Sequence, residues 1–145
     1  MPILTSPLAA EGAVIDLLVG VSDPRQQALL AANQPVPSPV PIRALIDPGA
    51  SITCIEDSVL QPLALVPTGI VSMTTPSTGA TPAFCNQYDV SLLLSHPLIA
   101  YRFSAIPVLE CKALSGTFKA LLGRDLLRHC LFVYDGPAGR FSLAF

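Results

Sequence analysis

The sequence predicts an all-β domain made of many short strands. Three observations carry that expectation. Fifteen of its 145 residues are proline, and proline removes the backbone N–H that a helix interior needs. The apolar runs, such as "LALV" and "SLLL", are short and end at Pro, Ser, His or Gly, which is how strands rather than long helices are punctuated. β-branched residues are frequent, and in "QYDVSLLL" Tyr88, Val90 and Leu92 alternate along the chain, the period of a strand with one buried face.

Taken in order, the first expected strand covers 13–21, "AVIDLLVGV". A short helix follows in "SDPRQQALLAAN". Asp23 is its expected N-cap, Pro24 its first helical residue and Asn33 its stop. The segment "QPVPSPVP" is a stiff, extended surface connection. Strands are then expected over 40–47, 52–55, 69–75, 84–95, 99–109 and 117–122. "GRDLLRHC" gives a second short helix after Gly123. The chain closes with strands over 131–135 and 140–145, joined through Asp135-Gly136-Pro137-Ala138-Gly139 as a hairpin loop. No internal repeat is visible, and 1–145 reads as a single domain large enough for one core.

Composition narrows the function classes. Only 12% of residues are charged and 51% are hydrophobic, yet no run of 18 apolar residues exists, so no membrane span is expected. Excess apolar surface on a small domain commonly ends in a subunit interface, which points to an obligate oligomer. The net charge is −2 and no basic cluster occurs, so nucleic acid is not an expected partner. The N-terminus lacks a basic region before its apolar part and does not read as a signal peptide. Cys54, Cys85, Cys111 and Cys130 are scattered, with only His96 and His129 to assist them. That spacing does not suit zinc. Reduced thiols packed as small hydrophobes, in a cytoplasmic protein without metal or cofactor, are the expectation.

Two stretches carry possible chemistry. The first is "ALIDPGASITCIE", residues 44–56. Asp47-Pro48-Gly49 between two apolar runs is a turn signal: Asp bonds its own backbone, Pro presets φ and Gly accepts positive φ. Asp47 is therefore either a turn residue or a catalytic carboxylate. The second is "KALLGRDLLRHC", residues 119–130, where Leu121 and Leu122 run into Gly123 and a short helix. Alone, Gly123 reads as a tight packing point.

Together, in this order, the two stretches resemble the retropepsin-like aspartic proteases, over roughly residues 13–145. That family carries an Asp-Thr/Ser-Gly-Ala motif after an apolar strand, and later an apolar-apolar-Gly-Arg-Asp/Asn-Leu-Leu motif. The resemblance implies a closed, acid-protease-like β-barrel with one short C-terminal helix and a flap hairpin, active as a homodimer. It implies Asp47 as the catalytic residue, and Gly49, Ala50 and Ser51 beside the substrate. Pro48, Leu122, Gly123, Arg124 and Asp125 take the places that support the active-site loop. The flap corresponds to 74–84, with Ser77, Thr78 and Gly79 at its tip. The opening Met and the lack of flanking polyprotein segments point to a cellular or bacterial member.

The implied activity is peptide-bond hydrolysis by a water activated between two carboxylates, with no cofactor. Two carboxylates held close cannot both ionise, so they share one proton. Only one motif of this kind occurs here, so the second carboxylate is expected from a second copy, across a two-fold axis. The cleft would take an extended peptide or protein substrate. The C-terminal strand "RFSLAF" is expected to serve the dimer sheet. Pro48 departs from the family's Thr or Ser, and it lacks both the hydroxyl and the N–H that bond across the axis. The alternatives are a catalytically impaired homologue that binds peptides or dimerises, and an unrelated β-barrel in which Asp47 only turns the chain.

Overall fold

The computed structural model describes residues 2–74, 79–114 and 116–145. Ten strands and three short helices follow one another: β1 Ile3–Pro7, β2 Val14–Val21, α1 Asp23–Ala31, β3 Val40–Ile46, β4 Cys54–Glu56, α2 Asp57–Leu60, β5 Gly69–Met73, β6 Ala83–His96, β7 Ile99–Cys111, β8 Ala120–Leu122, α3 Arg124–Leu127, β9 Leu131–Asp135 and β10 Arg140–Ala144. A single 3-10 turn, Gln61–Leu63, continues α2.

Six strands close a barrel in the order β2, β3, β8, β4, β7, β6, and β6 returns to β2. Most neighbours are antiparallel, but β3 pairs with β8 and β4 with β7 in parallel. The long β6 makes closure possible. Its second half, Val90–Leu94, pairs with β2, and its first half, Ala83–Gln87, pairs with β5. The β6–β7 register shifts by one between Val90 and Leu92, where Ser91 faces two residues of β7, as at a bulge. Inward side chains alternate as the sequence suggests: Ile15, Leu17 and Val19 of β2 pack with Val90, Leu92 and Leu94 of β6 and with Val108, Ala120 and Leu122. Each large side chain so buried stabilises the fold by about 1.5–3 kcal/mol.

A second sheet, β1–β10–β9, lies beside the barrel. Phe141 and Leu143 of β10 are fully buried in the common core with Leu4 of β1. Phe145 stacks on Tyr101 of β7 with ring centroids 4.2 Å apart, joining sheet to barrel. The opposite face of this sheet keeps Ile3, Leu131 and Val133 exposed.

Several elements differ from the sequence expectation. β1 was not expected: "ILTSP" has no strand pattern of its own and becomes a strand only by pairing with β10. α2 was not expected. β4 begins at Cys54 rather than 52, because 50–53 belongs to the loop that follows Asp47, and β8 begins at Ala120 rather than 117. The N-cap of α1 is Ser22, whose hydroxyl accepts from the Arg25 N–H at 3.3 Å. Asp23 is instead the first helical residue, and its carboxylate is taken by Arg102 of β7. Asn33 does end the helix region, in a left-handed conformation with φ 53°.

Candidate active site

Asp47 follows the last residue of β3. Its N–H donates to the Leu122 carbonyl at 3.0 Å, so the β3–β8 pairing continues to the carboxylate itself. The chain then turns. The Ala50 N–H donates to the Asp47 carbonyl at 3.1 Å, and the Gly49 N–H donates to Asp47 Oδ1 at 2.9 Å. The turn reading of Asp47-Pro48-Gly49 is thus right in form. Gly49 is not needed for positive φ, since its backbone does not lie in that region. It is needed for space: a Cβ there would sit 3.0 Å from Asp47 Oδ1. Among the described residues, Oδ2 accepts no hydrogen bond.

The loop is held from beneath by the second motif. Gly123 is buried, and a Cβ on it would lie 2.7 Å from the Ile52 carbonyl carbon and 3.0 Å from the Ala50 oxygen. No side chain fits that crossing. The next N–H, of Arg124, donates to the Ala50 carbonyl at 2.9 Å. The Arg124 guanidinium donates to the carbonyls of Pro48 at 2.8 Å and Gly49 at 3.3 Å. Arg124 therefore clamps loop carbonyls.

Asp125 completes the support. It accepts from the Thr53 N–H at 3.0 and 3.1 Å and from the Thr53 hydroxyl at 2.8 Å. The same hydroxyl accepts from the Gly123 N–H at 3.0 Å. Thr53 is completely buried, so each of these bonds replaces water that cannot enter. Sequence reading passed over Thr53. Its one signal is a polar residue amid the apolar "ITCI" stretch.

Around Asp47 the sheet presents one continuous face. Leu45 pairs with Leu121, Cys54 with both Leu121 and Leu109, and Gln87 with Leu109. Directly paired residues share a face, and Ile46, Ile55, Val108 and Leu122 point the other way, into the core. Asp47, Leu121, Cys54 and Leu109 thus line the same side. Cys54 is buried and Cys111 half-buried, both as free thiols.

Ala50 is half-buried in the loop, while Pro48 and Ser51 are exposed. Ser77 and Thr78 lie outside the described residues. Gly79 is an exposed turn residue with φ +61°, between the paired strands β5 and β6. A surface cavity of about 530 Å3 is lined by Asp16, Arg43, Thr117, Lys119 and neighbours, not by Asp47. It has no connection to the chemistry above. Among the described residues no group of three His, Cys, Asp or Glu could hold a metal ion, and no helix is long and apolar enough to cross a membrane.

No protein-family description matches the sequence, and no curated protein matches it. Among solved structures, the chain is similar to a retropepsin-like aspartic protease from Rickettsia conorii. The TM-score is 0.58 at 17% identity, covering 99% of this chain and 91% of that one. The chain has the fold of the retropepsin-like aspartic proteases.

Proposed function

We propose that the protein is an aspartic endopeptidase whose site is completed by a second copy of the chain. The observation that carries this reading is the Asp47 loop. One carboxylate, with an oxygen free of partners among the described residues, sits on a turn fixed from below by Gly123, Arg124, Thr53 and Asp125. Such fixing is what a positioned catalytic group requires. In the proposed reaction, the Asp47 side chains of two copies share one proton. One takes a proton from water as general base while the other donates a hydrogen bond to the scissile carbonyl. Gly49 and Ala50 leave room for the substrate backbone, and the β5–β6 hairpin covers it.

In this reading a single chain supplies half of the cleft. The terminal sheet bears on where the second copy docks. β10 has β1 on one edge and β9 on the other, so it cannot itself extend a sheet between copies. The outer face carrying Ile3, Leu131 and Val133, or the free edges of β1 and β9, would meet the partner.

Pro48 favours a second reading, an impaired homologue that binds peptides without cutting them. It has no hydroxyl or N–H to bond across the axis. The test is cleavage of an unfolded protein or peptide library over pH 3–7. The protease reading expects acid-favoured cleavage by the wild type and none by Asp47→Asn. Equal inertness of the two proteins would leave the peptide-binding reading in its place.

A further inference from the structure

Among the described residues the terminal sheet has two free edges, β1 and β9. In an antiparallel ladder the N–H and C=O of one residue point to one side and those of the next residue to the other. The Leu8 N–H donates to the Gly139 carbonyl at 2.9 Å, and the Phe145 N–H to the Pro2 carbonyl at 3.1 Å. Both bonds continue the β1–β10 register, so Phe141 and Leu143 face β1, and Arg140, Ser142 and Ala144 face β9. The β9 partners of those three are Asp135, Val133 and Leu131. Phe132 and Tyr134 therefore turn their N–H and C=O outward, to the open edge. The side chains separate the two edges further. On β1, Leu4 is buried, and Pro7, which faces the open side, has no N–H to offer a new strand. β9 contains no proline and leaves apolar surface uncovered. Leu131 and Val133 are 60% and 45% exposed. Tyr134 pairs with the fully buried Phe141 and so lies on the inner face of the sheet, yet it is 57% exposed at the edge. An apolar edge of this kind is a template for another strand.

We propose that a second copy of the chain docks on this edge, β9 against β9, antiparallel about a two-fold axis at Val133. This register uses every outward group. Phe132 of each copy pairs with Tyr134 of the other, so both outward residues of each strand donate and accept across the axis. A register about Phe132 or Tyr134 would pair only one residue of each copy. The two Val133 side chains then face each other as a non-hydrogen-bonded pair, the closer kind. On the inner face, Tyr134 is covered by the Phe132 ring of the other copy. Charge agrees with this direction. The exposed Arg128 precedes β9 and Asp135 ends it, so antiparallel copies set each acid towards the basic end of the other. The two three-stranded sheets become one.

The bearing of this edge on the site rests on the protease reading. β9 begins just after α3, and Arg124 of α3 holds the Pro48 carbonyl. The joined edge is thus tied, through α3, to the loop that carries Asp47.

The test is sedimentation of the full-length protein as wild type, Val133→Lys and Thr5→Lys. Val133→Lys sets like charges opposite each other at the axis, on a side chain that is already part-exposed. It is expected to raise the dimer dissociation constant by about a hundredfold or more. Thr5→Lys changes the exposed face of β1 and should leave the dimer at wild-type strength. Amide exchange at Phe132 and Tyr134 should be slow in the wild-type dimer and fast in Val133→Lys. Mild oxidation of Val133→Cys should give a covalent dimer whose mapped crosslink joins position 133 to itself, which decides the matter if Val133→Lys fails to fold. A monomeric wild type would leave the edge to some other extended chain and overturns the proposal. So does a dimer that survives Val133→Lys, a dimer broken equally by Thr5→Lys, or the absence of the 133–133 crosslink. None of these readouts needs turnover. A β9 dimer that cuts nothing would defeat the protease reading alone, and cleavage by a dimer indifferent to Val133→Lys would defeat the β9 interface alone.

Discussion

Thr53 shows how one small residue can set an active-site loop. Its hydroxyl donates to Asp125 and accepts from Gly123, while its N–H adds two contacts to the same carboxylate. Thr53→Val keeps the shape and removes the hydroxyl. The buried Gly123 N–H then has no acceptor and the Asp125 carboxylate loses a donor, at a cost of about 1–3 kcal/mol. The expected result is a lower urea midpoint with an unchanged slope. An unchanged midpoint would mean that water takes over these bonds. At this scale the sequence was legible in part. Asp47, Gly49, Gly123, Arg124 and Asp125 fall where the two motifs place them, because each motif is a local geometric necessity. Thr53 was not legible, because its partners lie 70 and 72 residues away and nothing local marks it. The role of one motif residue also changed: Gly49 provides clearance rather than positive φ.

At the scale of elements, β4 and α2 are joined through Glu56. Its buried carboxylate accepts from the Leu114 N–H at 2.6 Å and from Ser58 at 3.2 Å, and it pairs with Lys119 at 3.0 Å. Burial works to raise its pKa, but these partners outweigh burial and hold it below the ordinary carboxylate value. The sign follows directly. A carboxylate with a depressed folded pKa contributes stability that is present above its unfolded pKa and lost as pH falls through the folded one. Wild type should therefore be more stable than Glu56→Gln at neutral pH, and the gap should close below about pH 4. Urea midpoints at pH 7 and pH 3 check this, and a gap independent of pH would contradict it. The result matters for an enzyme expected to work in acid. Most strands were readable from alternation, as Val90, Leu92 and Leu94 illustrate. β1 was not, because pairing with β10 rather than its own pattern makes it a strand. Nor was the branching of β6 between β2 and β5, which depends on long-range pairing that no local pattern announces.

For the whole molecule, the question is whether two copies share one site. In the proposed dimer, Pro48 would lack the hydrogen bonds that a Thr would donate and accept across the axis, each worth about 0.5–1.5 kcal/mol. Pro48→Thr should tighten the dimer in sedimentation experiments. No change would place the interface energy elsewhere, on the exposed face of Ile3, Leu131 and Val133. The strands were foreseeable from short apolar runs, and their closure into a barrel from the family resemblance. The proposed assembly rests on counting, since one Asp47 motif cannot make a pair of carboxylates. The most direct measurement mixes wild type with Asp47→Asn at constant total concentration, with time for subunits to exchange. If both Asp47 side chains are needed, an equal mixture retains about one quarter of the wild-type cleavage rate, the share of dimers with two intact carboxylates. A rate that falls only to about one half, in proportion to the wild-type fraction, would show that each chain works alone and would contradict the shared site.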